Sequence, residues 1–392
     1  RHRSIRAAIN ASWNHLEPAE QRTFTLLSIF RGGFTLGAAS AVLDVGERDF
    51  VLRRTLSSLR DKSLINYDAR SERFTIHELL RQYGAEKLHE EKQGEELAFA
   101  RVRHALYFAR LLADSESILK GPRYVDGLRL IEADFENVLA AWHWLVENER
   151  HSDLAAVMDS LGLFQEIQGY YSTGKRSFSF LAARWQDRLA GETANSEEYA
   201  RDVRFLAKAL TWQATVELDR QQSEALLQES LGLLEDPRLR EGGGKAERAL
   251  TYYHLGQRLQ DTQMARAIDY LEKGLALYRE LDDLRGAANC LLLLGLSTFY
   301  VNLSVSRQYI VQANVIFEEI GDTRLLIQTL TWLAGVASLT GDQETMAQAV
   351  AKYYALGAAT EQQASIRDRV FIYILVAEEK GQYAQSVYHR KE

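Results

Sequence analysis

From Leu210 onward the chain repeats itself. Leu255-Gly256, Leu294-Gly295 and Leu333-Ala334 recur every 39 residues, while Leu210-Thr211-Trp212, Leu250-Thr251-Tyr252 and Leu330-Thr331-Trp332 recur at 40 and then 80. Each copy is followed by a second apolar stretch with a small-residue frame, Ala267…Leu271…Gly274-Leu275 and then Ala313…Phe317. Asp282-Asp283, Gly321-Asp322, Gly341-Asp342 and Gly381-Gln382 punctuate the copies, and Glu241-Gly-Gly-Gly-Lys245 reads as a flexible connector inside one of them. A repeating helix pair of this length cannot bury its apolar face alone and must stack on its neighbours. Residues 201–392 are therefore expected to form an α-solenoid.

The composition extends helix to nearly the whole chain. Three prolines in 392 residues, with abundant Leu, Ala, Glu, Gln and Arg, favour helix throughout, and 46% hydrophobic content supplies two or three cores. One cysteine, Cys290, lies in an apolar run, so no disulfide framework within the chain is possible. No run reaches the ~18 apolar residues of a membrane span and no signal peptide is visible, which points to a cytoplasmic protein. The net charge of −7 is uneven: residues 1–88 carry 14 Lys and Arg against 10 Asp and Glu, the remainder 33 against 44. The acidic remainder argues against nucleic acid there, and the mild basic excess of the head is weak support for a DNA surface. The chain begins at Arg1 inside a helical pattern, as a piece of a longer protein would.

Residues 1–88 read as several short helices, a hairpin and one more helix. Arg3–Leu16 carries an apolar face; Glu17-Pro18-Ala19-Glu20 opens a second helix, with proline where its missing N–H costs nothing. Thr35 is placed to cap a third helix ending at Leu43, and a fourth runs from Asp49 to Lys62 with Arg53, Arg54 and Arg60 outward. Leu64–Tyr67 and Arg73–Ile76 then form the only hairpin candidate, and Leu79, Leu80, Tyr83 and Leu88 align on a final helix. His77 stands where that helix begins, a place where free N–H groups and the dipole attract anions. A plain helix-capping role for it is equally consistent with the spacing.

This run, SWNHLEPAEQRTFTLLSIFRGGFTLGAASAV…LRDKSLINYD…RFTIHELLRQYGAEKL, resembles the winged-helix domain of the STAND family, the signal transduction ATPases with numerous domains. The resemblance implies a nucleotide-binding module upstream and a Met-His-Asp motif reaching ADP phosphates in the resting state. Ile76, His77 and Glu78 occupy those positions here. ADP or ATP with Mg would then be cofactors of the full-length parent, with none in this chain. LRLIEADFENVLAAWHWL likewise resembles the segment called the arm, and the repeats resemble tetratricopeptide (TPR) repeats lengthened from ~34 residues. The implied organisation is mainly all-α: a winged-helix domain with a small β-hairpin (1–93), a helical arm (94–200) and a TPR-like sensor (201–392).

Three sets of candidate residues follow. His77 is the candidate for nucleotide contact. The arm reads as a single helix, Tyr124–Glu149, with Ile131, Phe135, Val138, Trp142 and Leu145 buried; beside that stripe Glu132, Asp134 and Asn137 are expected to dock on the missing nucleotide-binding module. Replacing Asp134 and Asn137 by alanine is on this view neutral for stability. In the TPR frame Tyr253, Gln257, Asp261, Phe299 and Tyr300 fall near the groove, where an unknown inducer (small molecule, peptide or protein) would bind. No catalytic set and no metal constellation can be assembled from nine scattered histidines. Gly169–Arg176 nearly spells a P-loop, but Arg176 replaces the required hydroxyl, so it reads as a turn between helices. The chain is thus expected to be a regulatory fragment without enzyme activity. The alternative is a TPR scaffold whose winged helix binds DNA through Asp49–Lys62, a helix poor in amide or aromatic groups suited to base edges.

Overall fold

The computed structural model describes residues 2–44, 49–90, 94–191, 196–239 and 243–359. Eighteen helices and three two- or three-residue strands account for the regular structure among these residues, so the mainly all-α expectation holds. The chain divides into two units, one of Arg1–Ser115 with Arg129–Ser160, the other of Glu116–Leu128 with Leu161–Glu392. These do not coincide with the three expected segments, because residues of 94–200 are shared between both units.

In the first unit, helices α1 (His2–Asn14), α2 (Pro18–Leu27), α3 (Leu36–Leu43) and α4 (Asp49–Asp61) precede α5 (Glu78–Glu90), with a small sheet between them. Glu20 explains much of the packing. Its carboxylate accepts from the Glu17 backbone N–H at 2.8 Å to close the α2 capping box, then from Ser58 Oγ at 2.5 Å and Lys62 Nζ at 2.6 Å. One side chain thus starts α2 and ties it to α4. Thr35 Oγ1 accepts from Ala38 N at 3.1 Å, capping α3 as its position suggests.

The expected hairpin is present as β2 (Asn66–Asp68) and β3 (Arg73–Thr75), joined by a strand the periodicity did not reveal, β1 (Phe34–Thr35). The order is β1-β3-β2, all antiparallel, with Phe34 and Tyr67 opposite Phe74 on its two sides. Two residues are too short for an alternating signature; what makes β1 possible is Gly33. Its φ is +129°, and a Cβ there would lie 2.9 Å from the Phe74 carbonyl oxygen. Helix α6 (Gly94–Leu119), the end of α7 (Tyr124–Ala133), α8 (Phe135–Glu147) and the start of α9 (His151–Gln168) complete the unit. The single helix expected over Tyr124–Glu149 is broken at Asp134 (φ −119°, ψ 17°). Ile131, Val138, Trp142 and Leu145 are buried as expected, and Phe135 is half-buried.

In the second unit, the remainder of α9 and α10 (Tyr171–Gly191) lead into four helix pairs. These are α11 (Ser196–Thr215) with α12 (Arg220–Leu234), α13 (Lys245–Leu259) with α14 (Met264–Glu280), α15 (Leu284–Thr298) with α16 (Leu303–Glu319), and α17 (Thr323–Thr340) with α18 (Gln343–Ala359). The repeated tokens have distinct physical jobs. The glycines allow close packing: a Cβ on Gly256 would meet Leu271 Cγ at 2.4 Å, and one on Gly295 would meet Ile310 Cγ1 at 2.6 Å. The aspartates start helices, since Asp283 accepts from Gly286 N and Asp322 from Leu325 N. Thr211 and Thr251, from two of the Leu-Thr tokens, meet Ser230 in a buried hydroxyl triangle with sides of 2.9, 3.1 and 3.1 Å. Cys290 is buried in the main core, where desolvation pushes its thiol pKa up.

Gly169 and Tyr170 form the turn between α9 and α10, the place of the near P-loop. The Gly381-Gln382 token and part of the Glu241–Lys245 connector lie outside the described residues. Among the described residues no helix is long and apolar enough to cross a membrane, and no three His, Cys, Asp or Glu side chains converge for a metal.

Candidate functional site

His77 directly precedes α5. Its carbonyl accepts from Leu80 N and Arg81 N at 2.8 and 2.9 Å, and its Nδ1 faces Leu79 N at 3.3 Å. The imidazole is exposed, and no other side-chain partner engages it among the described residues. Glu78 beside it is gripped by both arms of Arg81, at 2.7 Å each, which holds its carboxyl down at about 2. The negative charge next to His77 is therefore largely neutralised, and an exposed ring at a helix start suits a phosphate oxygen.

Asp134 and Asn137 lie elsewhere than expected. Both are buried, and both spend their hydrogen-bonding capacity inside the first unit. Asp134 receives Arg73 from β3 through two bonds, Nη1 to Oδ2 at 3.0 Å and Nη2 to Oδ1 at 2.5 Å, with the paired side chains only 8% and 14% exposed. Asn137 Oδ1 accepts the Arg31 backbone N–H at 2.7 Å, while its Nδ2 donates to the Gly33 carbonyl at 2.8 Å and to Asp134 Oδ1 at 3.1 Å. The amide orientation is thereby fixed from both ends. His104 Nε2 lies 3.3 Å from the same Oδ1 and must be the protonated nitrogen of a neutral ring. Burial drives its pKa down to about 4, against the raising effect of Asn137. A pair of residues expected to face an outside surface instead joins α8 to β3 and to the turn before β1. Glu132 alone of the three is exposed.

The five solenoid candidates do not form one surface. Phe299 is core, packed edge-to-face on Trp332 at 5.4 Å, whereas its neighbour Tyr300 is 85% exposed. Asp261 is exposed and paired with Arg220 at 3.0 Å; exposed Gln257 holds His254 Nδ1 at 3.2 Å. Tyr253 is half-buried, and desolvation, with Glu166 nearby, raises its hydroxyl pKa.

Around Tyr253 the structure adds residues that sequence reasoning missed. Arg285 Nε donates to fully buried Asp322 at 2.8 Å, while Arg285 Nη2, Arg324 Nε and the Tyr124 hydroxyl are buried without a hydrogen-bond partner among the described residues. Arg324 acts electrostatically on both Tyr124 and Tyr253. The signal was present: Arg285 and Arg324 stand 39 residues apart, one repeat period.

No family model matches the chain. Over 290 residues it is 29% identical to a Mycobacterium tuberculosis protein carrying the provisional name of HTH-type transcriptional regulator, spanning 69% of this chain and 31% of that one. Over 168 residues it is 32% identical to the regulatory protein AfsR of Streptomyces coelicolor, spanning 41% of this chain and 16% of that one. The chain thus covers less than a third of the curated relatives it matches. Among solved structures it is similar to a STAND protein with a tetratricopeptide repeat sensor from Pyrococcus horikoshii, at 15% identity and a TM-score of 0.44 over 95% of this chain and 58% of that one. It is also similar to a Rap protein complexed with competence and sporulation factor, at 15% identity and a TM-score of 0.41 over 70% and 82%. At TM-scores below 0.5 these likenesses assign no ligand and no mechanism.

Proposed function

We propose that this chain is the regulatory and sensor part of a STAND-type ATPase switch. Residues 1–90 act as the winged helix, α8 as the core of the arm, and the helix pairs of the second unit as the sensor for an inducer. The observation that carries the reading is the buried junction of Asp134 and Asn137 with Arg73, Arg31 and Gly33. A switch element has to move as one piece, and a bidentate buried ion pair beside a fully used amide makes winged helix and arm one body. His77 would then be presented to ADP by that body rather than by a loose domain, and the missing module would supply the P-loop and Mg ligands. The parent's resemblance-based cofactors, ADP or ATP with Mg, belong to the proposal, as does the absence of ATP turnover by this chain alone.

In the full-length parent, His77→Ala should release ADP roughly tenfold faster and raise basal output, since a charge-assisted hydrogen bond contributes about 1.5–3 kcal/mol. Unchanged ADP retention together with unchanged basal output would reduce His77 to a helix cap. The regulatory names of the relatives also keep the DNA-binding reading in play, with exposed Arg53, Arg54 and Arg60 on α4 as its contacts. Arg60 is drawn to Asp61 at 3.1 Å, whereas Arg53 and Arg54 have no ion pair among the described residues. Binding of the chain to duplex DNA, lost on Arg53→Gln and Arg54→Gln, would favour that reading over the switch.

A further inference from the structure

Tyr124 opens α7 from within the second unit, to which residues 116–128 belong. Its ring is 2% exposed, and its hydroxyl is buried without a hydrogen-bond partner among the described residues. Arg324 of α17 and Asp322, which caps that helix, act on it electrostatically. Asp322 in turn holds Arg285 Nε of α15 at 2.8 Å. Arg285 Nη2 and Arg324 Nε are buried and also unpartnered among the described residues. Tyr253 of α13 feels the same two arginines, together with Glu166 of α9. The first helices of three successive pairs, and α9, thus converge on the place this ring fills. Pro122 lies against the same surface, its Cδ 3.7 Å from where a Cβ on Gly321 would stand.

The ring is the anchor of this segment. Pro122 and Arg123 are exposed, and the backbone of the turn bonds to itself. Gly121 N donates to the Ile118 carbonyl at 3.2 Å, and Asp126 N and Gly127 N donate to the Arg123 carbonyl at 2.9 and 3.2 Å. Burying an aromatic ring is favourable, whereas a buried polar group without a partner is costly. Here one hydroxyl and two guanidinium nitrogens carry that cost together, so the contact is held by the ring and opposed by the polar atoms around it. An occupant offering both a ring and free acceptors would satisfy what Tyr124 leaves unpaired. Those acceptors are uncharged, because Arg285 and Arg324 are balanced by Asp322 and Glu166. Peptide carbonyls beside an aromatic side chain meet both conditions. We propose that this face of the second unit is a binding site for a peptide bearing an aromatic side chain, and that the first turn of α7 is its built-in, displaceable occupant. The proposal rests on the sensor reading only in calling such a peptide an inducer. ADP retention tests that reading, and peptide binding tests this site.

The test uses the full 392-residue chain. Hydrogen exchange should show the Asp126–Leu128 amides opening locally, about a hundredfold or more faster than those of Leu291–Leu294 in α15. Tyr124→Phe removes the unpartnered hydroxyl and should slow that exchange about tenfold, the scale of one unpaired buried group. A fluorescein-labelled peptide of residues 116–128, whose carbonyls are free of the helix, is then titrated by fluorescence anisotropy. It should bind the Tyr124→Ala chain about tenfold or more tighter than wild type, whose site is filled. The same peptide with alanine in place of its tyrosine should bind neither chain. Arg324→Gln in the Tyr124→Ala chain should weaken peptide binding about tenfold, the scale of one charge-assisted hydrogen bond. Exchange of Asp126–Leu128 at the rate of α15 in the wild type overturns the displaceable occupant, whether or not the variants fold. Peptide binding to a cooperatively melting Tyr124→Ala chain that is absent, or no tighter than to wild type, overturns the shared site. Binding indifferent to the tyrosine or to Arg324 does the same.

Discussion

Asp134 and Asn137 sit three residues apart and fail differently when removed. Asp134→Ala leaves the 14%-exposed Arg73 guanidinium without its carboxylate, which costs about 3–5 kcal/mol for a buried pair. Asn137→Ala strands the Arg31 N–H and the Gly33 carbonyl, each costing about 1–3 kcal/mol. Denaturant melts of both variants should therefore show clear destabilisation, reversing the neutrality expected from the sequence. Replacing Arg73 and Asp134 together by leucine should recover much of the loss, since a broken pair is worse than none. His104 makes a separate prediction in pH. Its pKa falls from 6.5 to about 4 on folding, so between those values the unfolded chain holds the extra proton. Its contribution is fully present above pH ~6.5 and is lost as the pH falls toward 4, by about 3 kcal/mol at most. His104→Phe should flatten the stability profile in that window; Glu78, held near 2, acts only below about 4.5. An unchanged slope from pH 6.5 to 4 would show that His104 is not the titrating group.

At the scale of elements, helix was legible wherever apolar residues kept a 3.6-residue period, and the repeat tokens proved to be caps and close contacts. Gly295 tests this. In an exposed helix Gly→Ala stabilises by about 0.5–1 kcal/mol, and Gly232 in α12, with nothing within 4 Å of its absent Cβ, should follow that rule. Gly295→Ala should do the reverse and destabilise by about 1–3 kcal/mol, because its Cβ would press on Ile310 at 2.6 Å. Opposite shifts in melting temperature for the two variants are the expected result. Strand β1 was illegible because two residues carry no period; only Gly33 hinted at it. The break at Asp134 was hidden because both sides of it keep the same apolar stripe, and the aspartate's partner lies 61 residues away. The candidate site suffered from the same blindness. Spacing placed Asp134 and Asn137 correctly on a face shared with each other, but it could not reveal that Arg73 and the Arg31–Gly33 turn cover that face. His77 was legible because a helix start is a local feature. Arg285 and Arg324 were readable as a repeat pair and went unread among many arginines.

On the scale of the whole molecule, the division of the chain matters more than the number of helices. Tyr124 lies in the 116–128 segment of the second unit, fully covered there, and burial lifts its hydroxyl pKa to about 12. A fragment of residues 161–392 lacks that ring, so it should melt well below the second unit of the full chain. Losing a buried aromatic side chain costs about 3–5 kcal/mol, and a 116–128 peptide added in excess should raise the fragment's melting temperature. Fragment stability that ignores the peptide would show that the segment is dispensable. The chain passes from one unit to the other after Ser115, Leu128 and Ser160, and all three passages fall inside helices. The consequence is genetic as much as physical. A single recombination crossover transfers a continuous stretch of gene, and no continuous stretch encodes either unit without carrying part of the other. A crossover after codon 160 keeps the first unit whole but still sets residues 116–128 of one parent against 161–392 of the other, so head and sensor should be inherited as one block, and chimaeras with new sensors should be tolerated best when residues 116–128 are exchanged together with 161–392.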